Sequence, residues 1–260
     1  MTKEATAGVP VDWQVQLSQD ADLIQSIQTI KQTKGVVEAQ PVGYADVVYL
    51  RTSAGGTVQT TGQGKALGIP DGYASSFPGE VRFLVGSTQG ILLAQQTAAN
   101  LQATVGDTMT VGLPGGTQTE LLVQGIVDLP VADSLFQSIG GVPGANPTAP
   151  PDNVVLMPLS TWHQMFDELA KSNPNSVHMQ VHVKLASDLP ADPTAAFSEV
   201  IHRAHSLEAE LGGAGIVGNN LGAQLDGARS DATYAQILFL LVVSRAARRR
   251  QARFQLSTFW

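Results

Sequence analysis

The chain has 260 residues, of which 22 are acidic and 15 are basic, so its formal net charge is −7, and it contains no cysteine. A chain without cysteine has no disulfide framework, no thiolate zinc site and no cysteine nucleophile. Hydrophobic residues make up 43% of the sequence, which is typical of a globular protein and excludes a disordered chain or one built mainly of membrane spans.

The charge is unevenly distributed along the chain. All 22 acidic residues lie at or before Asp231, and with only ten basic residues the part up to Ser244 has a net charge of −12. An acidic body repels phosphate backbones, so the sequence predicts no nucleic-acid partner. The last sixteen residues carry a basic cluster of five arginines, Arg245, Arg248, Arg249, Arg250 and Arg253. Such a cluster directly after an apolar run indicates that this part of the chain lies at a membrane surface.

The N-terminal part predicts a strand, a helix and a second strand. Residues 13–17 alternate apolar and polar side chains, as a half-buried strand does. Residues 20–33 carry apolar side chains at helical spacing, and Gly35 is suited to ending that helix. Residues 42–50 are rich in β-branched and aromatic side chains, which predicts the second strand.

The middle of the chain is punctuated by glycines, which favours turns and small strands. One uncharged helix is predicted at residues 88–103. Residues 109–113 and 120–127 predict a hairpin, because Pro114-Gly115-Gly116 between them forms turns readily. A loop over residues 140–152 is followed by a predicted strand at 154–157 and a predicted helix at 160–169.

A second unit of the first kind appears late in the chain. Residues 177–185 alternate, so one face of a predicted strand is apolar and the other holds His178, Gln180, His182 and Lys184, which we expect to be exposed. Asp192-Pro193 predicts the start of a helix that runs to Leu211, and residues 214–217 predict a closing strand. The two units can pair as a ferredoxin-like split βαβ sheet with helices on one face.

These elements predict an α+β fold made from a split βαβ subdomain and an inserted, mainly β subdomain. The first half of the split subdomain is residues 11–55, the insert is 56–172, and the second half is 173–222. Residues 223–260 form a connector, a short membrane-proximal helix and the basic tail.

The apolar run at residues 234–243 has about half the roughly 20 residues that a bilayer span requires. Its flanks obey the positive-inside rule, since arginines lie at one end and Asp226 and Asp231 at the other. A buried amphipathic helix with a basic, solvated end fits the same pattern.

Candidates for catalysis are weak, and the sequence predicts neither an enzyme nor a cofactor. The turn at Gly62-Gln-Gly64-Lys65 lacks the other residues of a Walker loop.

His178 and His182 lie about 13 Å apart on a strand, too far to share a metal. His202 and His205, three apart on a helix, could share a metal but are more typical of a solvated face. Asp128 and Asp133 could form an acid/base pair, although aspartate beside proline usually serves a turn.

Three stretches carry a resemblance to a known family. Their sequences are GILLAQQTAANL at residues 90–101, VGDTMTV at 105–111 and VQGIVDLP at 123–130. They resemble the extracytoplasmic core of FtsX-like, MacB-like ABC transporter permeases, in which a helix leads into a "GD-T-x-x-V" strand and then a "V-x-G-I/V" strand. The resemblance covers about residues 10–253 and implies a Porter-type part built of split βαβ units with an inserted, mostly β Sabre-type part.

The resemblance implies a mechanical role at the cell membrane, with the main domain on the extracytoplasmic side. It implies a separate ABC ATPase subunit and the membrane as partners, and it allows a second permease copy. Stalk-like connectors would lie at residues 11–13 and 218–234, with Asn219-Asn220-Leu221-Gly222 either as a flexible joint or as an ordinary loop. The family has a membrane helix before this domain and a full span after it, so we expect this chain to be a fragment or an incomplete copy.

Two other functions are compatible with the sequence. The first is a free-standing extracytoplasmic module that binds a ligand or a protein without transport, which the short apolar run favours and the arginine cluster disfavours. The second is a hydrolase that uses Asp128, Asp133 or the histidines.

Overall fold

The structure is a computed structural model that describes residues 2–54, 57–137, 139–140, 150–231 and 234. Its strands are β1 (Trp13–Leu17), β2 (Val36–Val47), β3 (Tyr49–Ala54), β4 (Thr57–Thr60), β5 (Gly64–Ile69), β6 (Arg82–Gly86), β7 (Leu92–Ala94), β8 (Thr108–Gly112), β9 (Gln118–Leu122), β10 (Gly125–Asp128), β11 (Val154–Pro158), β12 (Val177–Leu185) and β13 (Gly215–Asn219). Its helices are α1 (Thr2–Ala7), α2 (Leu23–Gln32), α3 (Tyr73–Ser76), α4 (Gln95–Leu101), α5 (Ala132–Leu135), α6 (Leu159–Ser172) and α7 (Pro193–Leu211). A helical segment over residues 220–231 follows β13 and is called the outgoing helix.

The two predicted units form one split βαβ sheet. Its strands lie in the order β13-β1-β12-β2, and each neighbouring pair is antiparallel. Helix α7 starts where the sequence predicts, at Pro193, whereas α2 starts at Leu23, three residues after the predicted start. The side chains of Asp22 and Asp192 cap these helices by accepting hydrogen bonds from the first-turn N–H groups of Gln25 and Ala195 at 3.0 and 2.9 Å. Helices α2 and α7 pack on the same face of this sheet, so the ferredoxin-like arrangement is confirmed.

The same sheet continues beyond β2 with strands from the middle of the chain, in the order β5-β11-β7-β10-β6. Two of these pairs, β5 with β11 and β7 with β10, are parallel. A separate antiparallel sheet has the order β4-β3-β8-β9, and its β8–β9 hairpin turns at Gly115 and Gly116 as predicted. The predicted second strand at residues 120–127 is wrong in extent, because β9 ends at Leu122 and β10 starts at Gly125 in the large sheet. The α+β class is therefore confirmed, whereas the subdomain boundaries at residues 56 and 173 stay predictions.

The predicted helix at residues 88–103 is wrong in its first half. Residues 92–94 form strand β7, which lies between β11 and β10, and α4 begins only at Gln95. Leu92, Leu93 and Ala94 are all buried there, on alternating faces of the sheet. Burial between two strands thus overrides the helical preference of this apolar segment.

Both faces of the large sheet are covered. Helices α2 and α7 cover one face of the split βαβ part with a core that includes Trp13, Val181 and Leu207. The opposite face is covered by residues 70–81 and by α5, in a core that includes Tyr44 and Phe77. The third core lies between the large sheet, α6 and the second sheet. Antiparallel sheets often leave one face in water. The cover formed by residues 70–81 and α5 is therefore the main difference from a ferredoxin-like fold whose second face is exposed.

Candidate functional site

The two predicted connectors lie side by side at one edge of the large sheet. The incoming connector, residues 11–13, leads into β1, and the outgoing connector begins at the end of β13. In the antiparallel ladder Trp13 is opposite Asn219. The chain therefore enters and leaves this edge at the same end, and the two connectors are in contact: the N–H of Leu221 donates to the carbonyl of Asp12 at 3.1 Å.

Asp12 fixes the incoming connector to the end of β12. Its buried carboxylate accepts the backbone N–H of Leu185 at 2.7 Å and the ammonium group of Lys184 at 3.2 Å. Lys184 also donates to the carbonyl of Val9 at 2.6 Å. Burial raises the pKa of the Asp12 carboxyl, and the Leu185 N–H and the Lys184 charge oppose that rise. The Asp12 carboxylate and the Lys184 ammonium group thus tie the incoming connector to the end of β12.

The outgoing connector is also anchored, which corrects one prediction. Asn219 is the N-cap of the outgoing helix, because its side-chain oxygen accepts the N–H of Gly222 at 2.7 Å. Asn220 is buried, donates to the carbonyl of Val11 at 3.0 Å and accepts a hydrogen bond from Gln137. Residues 219–222 are therefore a capped and packed helix start rather than a flexible joint or an ordinary loop.

A cleft of about 670 Å³ opens beside the two connectors. It lies between α1 and the loop that follows β12, and its walls are mainly apolar, with Asp12 and Lys184 among the lining groups. Its lining residues include Val9, Pro10, Pro78, Leu189, Pro190 and Leu221. The cleft places free volume next to both connectors.

A row of polar side chains crosses the covered face of the sheet behind the connectors. Gln14 on β1, His182 on β12 and Gln40 on β2 are consecutive partners across the ladders. Gln14 and His182 are buried, so the prediction that the polar face of β12 is exposed is wrong. The reason is that residues 70–81 and α5, both distant in sequence, cover this face.

His182 is held between two tyrosines. Its Nδ1 lies 2.6 Å from the Tyr73 hydroxyl and its Nε2 lies 3.1 Å from the Tyr44 hydroxyl. The Tyr44 hydroxyl donates to the carbonyl of Leu135 at 3.0 Å, so we assign the His182 proton to Nε2 and let Nδ1 accept from Tyr73. Burial lowers the pKa of His182 to about 3, which keeps the ring neutral.

Glu80 lies in the same covered layer and has an unusual environment. Its side chain is buried, and neither carboxyl oxygen has a hydrogen-bond partner among the described residues. Burial raises the pKa of Glu80 to about 8, although the charge of Lys184 acts in the opposite direction. Glu80 also contributes to raising the pKa of Tyr44 and Tyr73, for which burial is the larger cause. A neutral carboxyl is therefore the form that this layer accommodates at neutral pH.

The other predicted site residues are dispersed. Asp128 pairs with Arg82 at 2.5 Å across the β10–β6 ladder, whereas Asp133 is exposed on α5. His202 and His205 are exposed on α7. Lys65 of the glycine-rich turn lies on β5 and pairs with Asp46. Within the described ranges, no three histidine, aspartate or glutamate side chains are arranged to hold a metal ion.

Sequence reasoning missed Asp12, Glu80 and the polar row. A signal for Asp12 was available, since it is a single charge in the apolar run Val9-Pro-Val-Asp-Trp13. The sequence carries no signal that Gln14 and His182 are buried, because a polar side chain on an alternating strand is expected to be exposed to solvent.

The basic cluster Arg245, Arg248, Arg249, Arg250 and Arg253 lies outside the described residues, as does the apolar run 234–243 apart from Tyr234. Among the residues that are described, no helix has the length and apolar character needed to cross a bilayer.

The sequence matches one family model, that of the MacB-like periplasmic core domain, over residues 3–202. No curated protein matches the sequence. The family match spans most of the chain, including both halves of the split βαβ sheet up to α7, and it confirms the resemblance seen in residues 90–130. The chain therefore belongs to the family of MacB-like periplasmic core domains, the extracytoplasmic domains of ABC transporter permeases.

Proposed function

We propose that this domain relays ATP-driven movement of the membrane helices of its permease to a substrate or partner outside the membrane. One observation carries the proposal: the incoming and outgoing connectors lie side by side at one edge of the sheet and are joined by hydrogen bonds. Asn220 donates to Val11, and Leu221 donates to Asp12. Two connectors that are bonded to each other at one edge form a single point at which membrane helices can push or pull.

Force applied at this point has a rigid path into the domain. Asp12 binds Lys184 and the Leu185 N–H at the end of β12. Asn220 and Gln14 both bind Gln137, which follows α5. A displacement of either connector must therefore move β12 and the cover of the second face, because the bonds that hold them are buried or part-buried and costly to break. The capped outgoing helix adds a stiff lever, since helices transmit displacement along their axis better than loops do.

The relay requires partners that the family membership suggests. A separate ABC ATPase subunit supplies the stroke, the membrane holds the helices, and a second permease copy provides a surface to move against. The basic cluster at residues 245–253 fits the membrane surface because arginines gather on one flank of the apolar run. The domain itself acts mechanically rather than as an enzyme.

The experiment measures movement in the permease that carries this domain, reconstituted in vesicles with its ATPase. The chain has no cysteine, so a single cysteine at Val58, an exposed residue on β4, takes a donor dye for energy transfer to acceptor lipids in the membrane surface. We expect ATP to change the transfer efficiency and an inhibitor of ATP hydrolysis to hold it at one value. Unchanged efficiency during continuing ATP hydrolysis would refute the relay.

A matched pair of insertions separates mechanical coupling from general damage. Four glycines inserted after Gly227 interrupt the outgoing helix, and the same insertion between Gly115 and Gly116 lengthens an exposed hairpin turn. We expect the first insertion to abolish the ATP-dependent change while ATP hydrolysis continues, because a flexible segment does not transmit a push. The second insertion is expected to leave the change intact.

A further inference from the structure

The edge of the large sheet opposite the connectors is open. Strand β6 is last in the strand order, and within the described part of the chain it pairs only with β10. All five of its residues are exposed, including Phe83 at 37%, Leu84 at 40% and Val85 at 59%. Such an edge presents a row of backbone N–H and C=O groups to any chain that can pair with them. An apolar edge strand of this kind is uncommon in a domain that has no partner.

A bulge directs the apolar side chains of β6. Ile126 is opposite Val85 and Val127 is opposite Phe83, so Leu84 is the extra residue on β6. Leu84 and Val85 consequently line the same trough, of about 440 Å³, whose other wall is α4. The remaining lining residues of the trough are Gln95, Ala98, Ala99, Gln102, Ala103, Thr104 and Ile126.

The other face of β6 also has room for side chains. Phe83 lines a second cleft, of about 190 Å³, together with Leu92 and Pro158. Successive side chains of a strand point to opposite faces of its sheet. A strand added beside β6 would therefore place one set of side chains toward the trough and the other toward this cleft. Both receiving surfaces contain apolar groups, so apolar residues on both faces of the added strand gain from burial.

We propose that β6 binds an extended segment of a partner protein by strand addition, and that this segment is apolar at its centre and basic at its ends. The backbone groups of the edge supply the pairing, and the trough and the cleft select apolar side chains. The basic ends follow from carboxylates beside the edge, since Asp71 lines the cleft and Asp107 accepts hydrogen bonds from Thr104 of the trough. Arg82 of β6 is already paired with Asp128, and the net charge of −12 up to Ser244 also attracts cations. The same charge disfavours a second copy of this chain as the occupant, because two acidic bodies repel each other.

The proposal is independent of the relay, since it concerns binding by the chain in solution. The probe is a displayed library of ten-residue peptides in which Val, Ile, Leu, Phe and Thr are varied at every central position and lysines flank both ends, so that apolar residues can occupy both faces of the strand. We expect enriched peptides to slow amide exchange at Arg82–Gly86 in the 260-residue chain. Failure to enrich any peptide, or protection confined to other strands, would overturn the proposal.

Two lysine substitutions test the location. Val85→Lys places a charge on β6, and Val58→Lys places one on β4, the edge strand of the second sheet, at an equal exposure of 59%. We expect the first substitution to weaken peptide binding at least tenfold and the second to change it less than twofold. Equal loss in both variants would show non-specific charge effects and overturn the assignment. Sedimentation of the free chain adds one outcome: a dimer that Val85→Lys dissociates would assign the edge to a second copy instead.

Discussion

The two edges of the large sheet are built in opposite ways. At the connector edge the backbone and side chains are joined by buried bonds: Asp12 to Lys184 and Leu185, and Asn220 to Val11. At the far edge, eight strand spacings or roughly 40 Å away, β6 has all five residues exposed and one neighbouring strand among the described residues. The first edge has the anchoring that the proposed relay requires, and the second has the unpaired strand that the proposed strand addition requires.

If the proposed relay operates, this difference allows one sheet to serve both of its ends. A continuous ladder of hydrogen-bonded strands runs from β13 to β6, so in the proposed relay a displacement at the first edge would reach the second without crossing a flexible linker. His182 of the polar row and Glu80 lie under the cover between the edges, so we expect the stability of the domain to depend on pH. Variants at the connector edge should therefore cost much more stability than variants at the far edge.

The largest effect is expected for Asp12→Ala. The change leaves the buried N–H of Leu185 without its acceptor and removes the carboxylate that faces Lys184. We expect the free energy of unfolding to fall by about 3 kcal/mol, measured by urea denaturation. Glu168→Ala is the control, because its ion pair with Lys171 is exposed to solvent and contributes little to stability. Equal losses in the two variants would mean that Asp12 does not anchor the connector.

The second effect is a dependence of stability on pH that is set by two buried groups, whose contributions change with pH in opposite directions. The pKa of His182 falls from its usual 6.5 to about 3 on folding, so its contribution to stability is complete above pH 6.5 and is lost as the pH falls toward 3. The pKa of Glu80 rises from 4.5 to about 8, so its contribution is complete below pH 4.5 and is lost as the pH rises toward 8. The two slopes cancel between pH 4.5 and 6.5. Between pH 6.5 and 8 Glu80 acts alone, and at 1.36 kcal/mol per pKa unit the loss reaches up to about 2 kcal/mol.

Glu80→Gln isolates the alkaline part of this profile. An amide does not ionise, so we expect the variant to keep its acid-side loss of stability and to show no decline between pH 6.5 and 8 in thermal or urea unfolding. Glu168→Gln, on the exposed side of α6, should leave the wild-type profile unchanged. A decline that persists in Glu80→Gln would place the responsible group elsewhere.

Local sequence signals account for the parts of the fold that were predicted. The split βαβ halves were found because their strands alternate and because Asp192 and Pro193 begin α7 through contacts within one turn. The register between Gln14, His182 and Gln40 was not predictable, since it joins residues from opposite ends of the chain. The burial of His182 depends on Tyr73, more than one hundred residues earlier in sequence.

The sequence predicted where the candidate site lies but not how it is held together. Residues 11–13 and the start of 218–234 lie where the chain enters and leaves the split sheet, as predicted, and their role as connectors to the membrane stays a prediction. The rigidity of residues 219–222 was missed, because asparagine and glycine in a row favour turns and only the contact with Val11 and Gln137 makes them a helix start. The open edge at β6 was missed because an apolar strand is ordinarily buried.

A smaller effect is expected for Asn219→Ala, which removes the cap of the outgoing helix. Loss of an N-cap costs about 1 kcal/mol, and amide exchange at the start of the outgoing helix should become faster. Asp192→Ala, which removes the cap of α7, is the matched control: its loss of stability should be similar, and exchange at residues 221–225 should stay slow. If exchange there is unaffected by Asn219→Ala, the contacts of Asn220 alone hold the outgoing connector.

The smallest effect is expected for Val85→Lys at the far edge. Val85 is as exposed as Val58, and exposed substitutions usually change the free energy of unfolding by less than about 0.5 kcal/mol. We therefore expect urea denaturation to give nearly equal stabilities for Val85→Lys, Val58→Lys and the unchanged chain. A loss above about 1 kcal/mol for Val85→Lys alone would mean that the chain covers this edge in solution, since only a buried site penalises a lysine so heavily. In that case the contrast between an anchored edge and an open edge would fail, and the binding of a partner strand would first require this cover to move away.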